Sequence, residues 1–185
     1  MDMTDVRELR KYSFPTGGIF LVSIGFLMLA AVIYAFIIGA AELLALVIIV
    51  LCSAFMIIVG GFDFIVYARL IERIKKNGEM PVLTADFKRG RRVLGGDLIL
   101  GEMWAIGRHT GYMIKYSDIV YARQNIIKNK GAEASRNITV LNRNEKAPRV
   151  LCNLKSGGRS DNELSQIMVF LREKMSQYNH YEENF

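Results

Sequence analysis

The residues able to do chemistry are few and scattered. Two histidines, His109 and His180, and two cysteines, Cys52 and Cys152, stand far apart along 185 residues, whereas a zinc site draws its ligands from pairs roughly two to five residues apart. No Walker or Gly-x-Gly-x-x-Gly loop occurs, and Gly157-Gly158-Arg159-Ser160 lacks both the lysine and the spacing of one. A Gly-x-Ser-x-Gly elbow, a His-Glu-x-x-His pair and a Cys-x-x-Cys pair are equally missing. These absences argue against an enzyme and against a metal or other cofactor. One constellation remains, Lys88-Arg89-Gly90-Arg91-Arg92. Four cations in five residues can contact anionic lipid headgroups, at about 1 kcal/mol each near a charged leaflet, or can form a solvated turn. Nucleic acid is disfavoured, because no aromatic residues are interleaved to give a stacking surface.

Positioning these cations is the work of a chain dominated by its apolar stretch, Ile19 to Ala68, broken near the middle by Glu42. A bilayer core about 30 Å thick takes roughly 20 apolar residues per helical span. The stretch supplies two such lengths, about 19–41 and 43–66, and predicts a transmembrane hairpin. A cleaved signal peptide fits poorly, since its apolar core is about 7–15 residues long and leads into a soluble chain. Ala31, Ala35 and Gly39 recur every four residues on one helix face, and small residues so spaced let helices approach closely in lipid. They are expected to pack on the second span or to mediate self-association. Asp63 is expected at the membrane interface, near Tyr67 and Arg69.

Charge sets the expected orientation. The formal net charge is +6 and the isoelectric point about 9.4. Arg7, Arg10 and Lys11 precede the first span and Arg69, Arg73, Lys75 and Lys76 follow the second, while Gly39 to Glu42 carries no cation. By the positive-inside rule both termini lie in the cytoplasm, and the protein belongs to the inner (cytoplasmic) membrane. Residues 1–18 then form a cytoplasmic tail or a short helix at the membrane surface.

Beyond the hairpin, Tyr67 to Lys76 continues as a helical stalk (69–79), stopped by Asn77-Gly78 and kept from resuming by Pro81. From Met80 the pattern turns to short apolar runs between turn residues. Expected strands are Val82–Thr84, Arg92–Leu94, Leu98–Leu100, Met103–Ile106, Gly111–Lys115, Ile119–Arg123, Ile138–Leu141 and Val150–Leu154. Ser160-Asp161-Asn162-Glu163 is a capping box. Leu164, Ile167, Met168, Leu171 and Met175 then draw one apolar stripe along a closing helix.

In this order of elements, Gly101 to Gly107, Ile114 to Tyr121 with its Tyr-Ser-Asp-Ile-Val step, Ile138 to Leu141 and the last helix resemble bacterial pleckstrin-homology-like (PH-like) domains carried behind two membrane spans. The resemblance covers about residues 85–178 and carries no catalytic set. It implies a PH-like antiparallel half-barrel of about seven strands capped by a C-terminal helix, within residues 80–185. The expected fold is thus a membrane α-helical hairpin plus an α+β domain. The expected function is non-enzymatic binding or scaffolding at the lipid bilayer; the alternative is a small accessory subunit of a transporter or channel.

Overall fold

The computed structural model describes residues 3–39, 42–129, 132–155 and 161–182. Two compact units emerge, Pro15–Glu72 and a second built from Met1–Phe14 together with Arg73–Phe185.

The first unit is the apolar hairpin. Helix α2 spans Thr16–Ile37 and α3 spans Leu43–Lys76, the latter reaching into the second unit. The 22 residues of α2 make about 33 Å at 1.5 Å per residue, matching a hydrocarbon core of about 30 Å. Both helices are long and apolar enough to cross a membrane. Phe20, Leu27, Phe36, Leu44, Phe55 and Ile58 are each two-thirds exposed or more, an arrangement that a bilayer tolerates and water does not.

Glycine decides where the two helices meet. A Cβ on Gly60 would stand 2.6 Å from the Gly18 carbonyl oxygen, and one on Gly25 2.7 Å from the Ile57 side chain and 3.0 Å from the Ser53 carbonyl oxygen. Gly18 and Gly25 are thus two turns apart on α2, facing Gly60 and Ser53, two turns apart on α3. Ser53 turns its hydroxyl to the Ile49 carbonyl of its own helix, 2.7 Å away, so that hydroxyl is paired at the contact. The row Ala31, Ala35 and Gly39 is not this contact: Ala31 and Gly39 are exposed and Ala35 is only half-buried. Spacing alone could not separate two small-residue rows on one helix.

The second unit is layered. Helix α1 is Met3–Ser13 and α4 is Met80–Arg89. Strands β1 (Arg91–Val93), β2 (Leu98–Leu100), β3 (Trp104–Gly107) and β4 (Met113–Lys115) form one antiparallel sheet in that order. Strands β5 (Ile119–Asn129), β6 (Ala132–Asn142) and β7 (Arg149–Lys155) form a second, and helix α5 is Asp161–Glu182. The sheets are not closed into a barrel. Gly107 marks their close approach, since a Cβ there would run into the Leu151 carbonyl of β7.

Direct cross-strand partners share a face. The register Arg91↔Leu100, Val93↔Leu98 and Leu100↔Ala105 gathers one face of the first sheet, and Arg92↔Ile99, Ile99↔Ile106 and Ile106↔Met113 the other. Helix α5 serves the first of these faces: Leu164, Ile167, Met168 and Leu171 are all buried, as their spacing predicts. Ser160 of the expected capping box lies outside the described residues; the Glu163 carboxylate instead accepts the Leu94 backbone N–H at 2.8 Å.

Two expectations fail here. Val82–Thr84 is not a strand but part of α4. Pro81 sits in the first turn of that helix, where a missing N–H costs nothing, so it starts a helix rather than preventing one. Met80, Leu83, Thr84 and Phe87 are buried at helical spacing, and the Thr84 hydroxyl is satisfied by the Met80 carbonyl at 2.9 Å.

Residues 3–14, expected as a tail or surface helix, are built into the second unit. Leu9 is fully buried. The Tyr12 hydroxyl donates to the Gly96 carbonyl at 2.6 Å, its ring meets Phe87 edge-on at 5.5 Å, and the backbone N–H groups of His109 and Gly111 donate to the Tyr12 and Ser13 carbonyls. The stop at Asn77-Gly78 stands as expected: Gly78 takes a positive φ of 71°, and the Glu79 N–H closes back on the Ile74 carbonyl.

Candidate functional site

Alternation along β1 divides the basic segment. Arg91 and Arg92 are neighbours in an extended strand and point to opposite faces. On one side Arg92 stands over the Phe87 ring at 5.9 Å, while Lys88, on α4, pairs with Asp5 of α1 at 2.6 Å. Arg89, also on α4, borders an open groove of about 540 Å³ with Pro81, Val82, Asp86, Glu102 and Met103. On the other side Arg91 lines a cleft of about 250 Å³ against α5. The four cations therefore do not make one patch. Sequence proximity put them together; the strand period of two parts Arg91 from Arg92, and Lys88 and Arg89 belong to the last turn of α4.

The cleft between β1, β2 and α5 brings together Arg91, Val93 and Leu100 from the sheet and Glu163, Gln166, Ile167, Phe170 and Lys174 from the helix. Residues 163, 166, 167, 170 and 174 recur at helical spacing, so one face of α5 forms a wall. Its floor is apolar and its rim is charged. The Lys174 ammonium stands 5.9 Å over the Phe170 ring. Glu163 is committed to the Leu94 N–H, which supports a residue at the unusual φ of 56° between Val93 and the Gly95-Gly96 turn. Nothing in the sequence placed Gln166, Phe170 or Lys174 beside Arg91; the only available signal was their common helix face.

The buried tyrosines of this unit serve as hydrogen-bond donors. Burial pushes the Tyr12 hydroxyl up to about 12, against the pull of Arg108 and Arg92. Burial likewise raises Tyr112, with the Glu145 charge adding to it, and Tyr116. Each therefore stays protonated and donates, Tyr112 to Glu145 at 3.3 Å and Tyr116 to the Gly101 carbonyl at 3.2 Å. Burial also lifts the Cys152 thiol to about 12, which keeps it from acting as a nucleophile near neutrality. His109 is exposed at a turn, with the Arg108 Nε donating to its Nε2 at 3.1 Å. Among the described residues no three His, Cys, Asp or Glu side chains gather as a metal site would require.

Asp63 is exposed on α3, its Cβ close beside Gly18 in the first turn of α2. The positive end of a helix dipole lies there, and this suffices to account for an acid at that position.

No protein-family model matches the chain, and neither curated proteins nor solved structures give a significant match.

Proposed function

We propose that the chain is a two-span protein of the cytoplasmic membrane with both flanks in the cytoplasm, and that its second unit is a PH-like module that binds without catalysing. The observation that carries this reading is the burial of α1. Residues before the hairpin and residues after it fold as one unit, with Leu9 fully buried and Tyr12 bonded to Gly96. Two crossings return the chain to the side it left, so such a unit needs an even number of spans. The cations Arg7, Arg10, Lys11, Arg69, Arg73, Lys75 and Lys76 flank the two crossings on that side, which favours the cytoplasmic face.

Four- and three-stranded antiparallel sheets with a terminal helix fit the PH-like pattern. Catalysis finds little support where the tyrosines are held protonated and the buried thiol is inert. Reporter fusions at the two termini and after Gly39 test the topology: cytoplasmic signals at both ends and an external one at the loop are expected, and termini on opposite sides would end the reading. In-cell crosslinking with mass spectrometry tests the module; a stoichiometric transporter or channel partner would replace it with an accessory subunit.

A further inference from the structure

The structure assigns the ligand of this module to the cleft between β1, β2 and α5, and we infer that it is an amphiphile with a monoanionic head, carboxylate or phosphodiester, on an apolar body. The inference rests on the binding-module reading above. Three features of the cleft carry it.

The first is composition. Val93, Leu100, Ile167 and Phe170 make the floor, which rewards removal of an apolar body from water. A bare inorganic anion would leave that surface unused.

The second is the charge at the rim. Arg91 and Lys174 come from different elements, β1 and α5, and converge on one opening. Arg91 offers a planar fork suited to a carboxylate or phosphate, Lys174 a point charge. Glu163 contributes one negative charge to the same lining, already engaged by the Leu94 N–H. Two cations against one anion leave a single positive charge, which selects a monoanionic head over a dianionic one.

The third is size. About 250 Å³ lies below the roughly 300–1,000 Å³ of drug-sized sites, so the cleft takes a short chain or a single ring and not a folded peptide. A free amphiphile and a membrane lipid present the same chemistry, and experiment separates these sources.

The probe is octanoate, titrated into the full chain in nanodiscs of zwitterionic lipid with isoleucine methyls labelled for NMR. Ile167 lines the cleft, while Ile99 lies buried on the opposite face of the sheet. The expected result is a saturable shift at Ile167 with none at Ile99, no comparable shift with acetate, and affinity at least tenfold weaker in the R91E/K174E double variant. Both positions are on the rim, and an unchanged Ile99 signal certifies that the variant is folded. Arg91→Lys, which keeps the charge and loses the fork, is expected to bind more weakly than the parent and more tightly than R91E/K174E. Absence of a saturable Ile167 shift overturns the proposal, as does equal binding by octanol or an affinity that R91E/K174E leaves unchanged.

Repeating the titration in nanodiscs containing phosphatidylglycerol identifies the source. An Ile167 signal already displaced, with no further response to octanoate, means that lipid supplies the ligand; an unaltered titration means a free amphiphile. If octanoate fails while both termini report from the cytoplasm and no transport partner crosslinks, the cleft is wrong and the module reading survives. Termini on opposite sides remove the module reading whatever octanoate does.

Discussion

Asp86 holds Trp104 from the neighbouring layer: its carboxylate oxygen accepts the Trp104 backbone N–H at 2.8 Å and the Met103 N–H at the same distance. This acid sits 7 % exposed on α4, and the turn into β3 depends on it. Removing the acceptor leaves two donors without partners, each worth about 1–3 kcal/mol. Asp86→Ala is therefore expected to destabilise the second unit by about 2–6 kcal/mol, and Asp86→Asn, which keeps one oxygen, by less. Denaturant unfolding of the full chain in detergent, followed by Trp104 fluorescence, measures it. A loss below that of a surface substitution would show that the turn holds itself.

The docking of α1 gives a second prediction. Leu9 is fully buried, so Leu9→Ala is expected to cost about 2–5 kcal/mol. The Asp5–Lys88 pair is another matter, because the Lys88 side chain is 53 % exposed. A double-mutant cycle on it is expected to return less than about 1 kcal/mol. Should Leu9→Ala cost nothing, α1 is not part of the fold.

Alkali should act on the same contact. Burial raises Tyr12 to about 12 from about 10 in an unfolded chain. The unfolded state therefore loses its proton first, so this contribution is whole below pH 10 and drains away as pH climbs from 10 towards 12. Tyr12→Phe, which has no proton to lose, is expected to flatten that part of the stability profile. An identical alkaline limb in the two proteins would exclude Tyr12 as its source.

In the hairpin, Gly60 and Gly61 make an internal control. A Cβ on Gly60 meets the Gly18 carbonyl, the Val22 side chain and the Leu21 Cβ within 3.1 Å, whereas one on Gly61 meets nothing within 4 Å. Gly60→Val is expected to cost about 1–3 kcal/mol through overpacking, read as loss of hairpin integrity in an SDS titration, and Gly61→Val is expected to be close to neutral. Ala31→Leu should also be tolerated, because Ala31 is exposed.

Much of this architecture was legible in the chain. Seven of the eight expected strands are present, the apolar stretch divides into two helices at Glu42, and the stripe from Leu164 to Leu171 is buried. These features depend on local periodicity, which sequence records. Strand lengths were less visible: β5 and β6 each run eleven residues through polar positions that read as loop. The reason is cross-strand pairing, since the Asn125 amide donates to Asn137 at 3.2 Å and to Thr139 at 3.0 Å. Helix α4 was hidden because Val82 and Thr84 are β-branched, and a buried face at 80, 83, 84 and 87 outweighs that preference. The cleft was out of reach for a different reason: Arg91 and Lys174 are brought together by tertiary packing, which no local pattern encodes.

The burial of α1 also fixes an order of events during synthesis. Tyr12 finds its partner Gly96 across 84 residues, and the His109 and Gly111 N–H groups donate to the Tyr12 and Ser13 carbonyls. At about 5–20 residues per second, the ribosome needs roughly 5–20 s after Tyr12 to deliver Gly111. Eleven residues are too few to sustain a helix alone in water, where about 12–15 are marginal. The segment is thus translated before the hairpin, and the groups that hold it in the folded chain, from Phe87 on α4 to Gly96, His109 and Gly111, are made only after the hairpin.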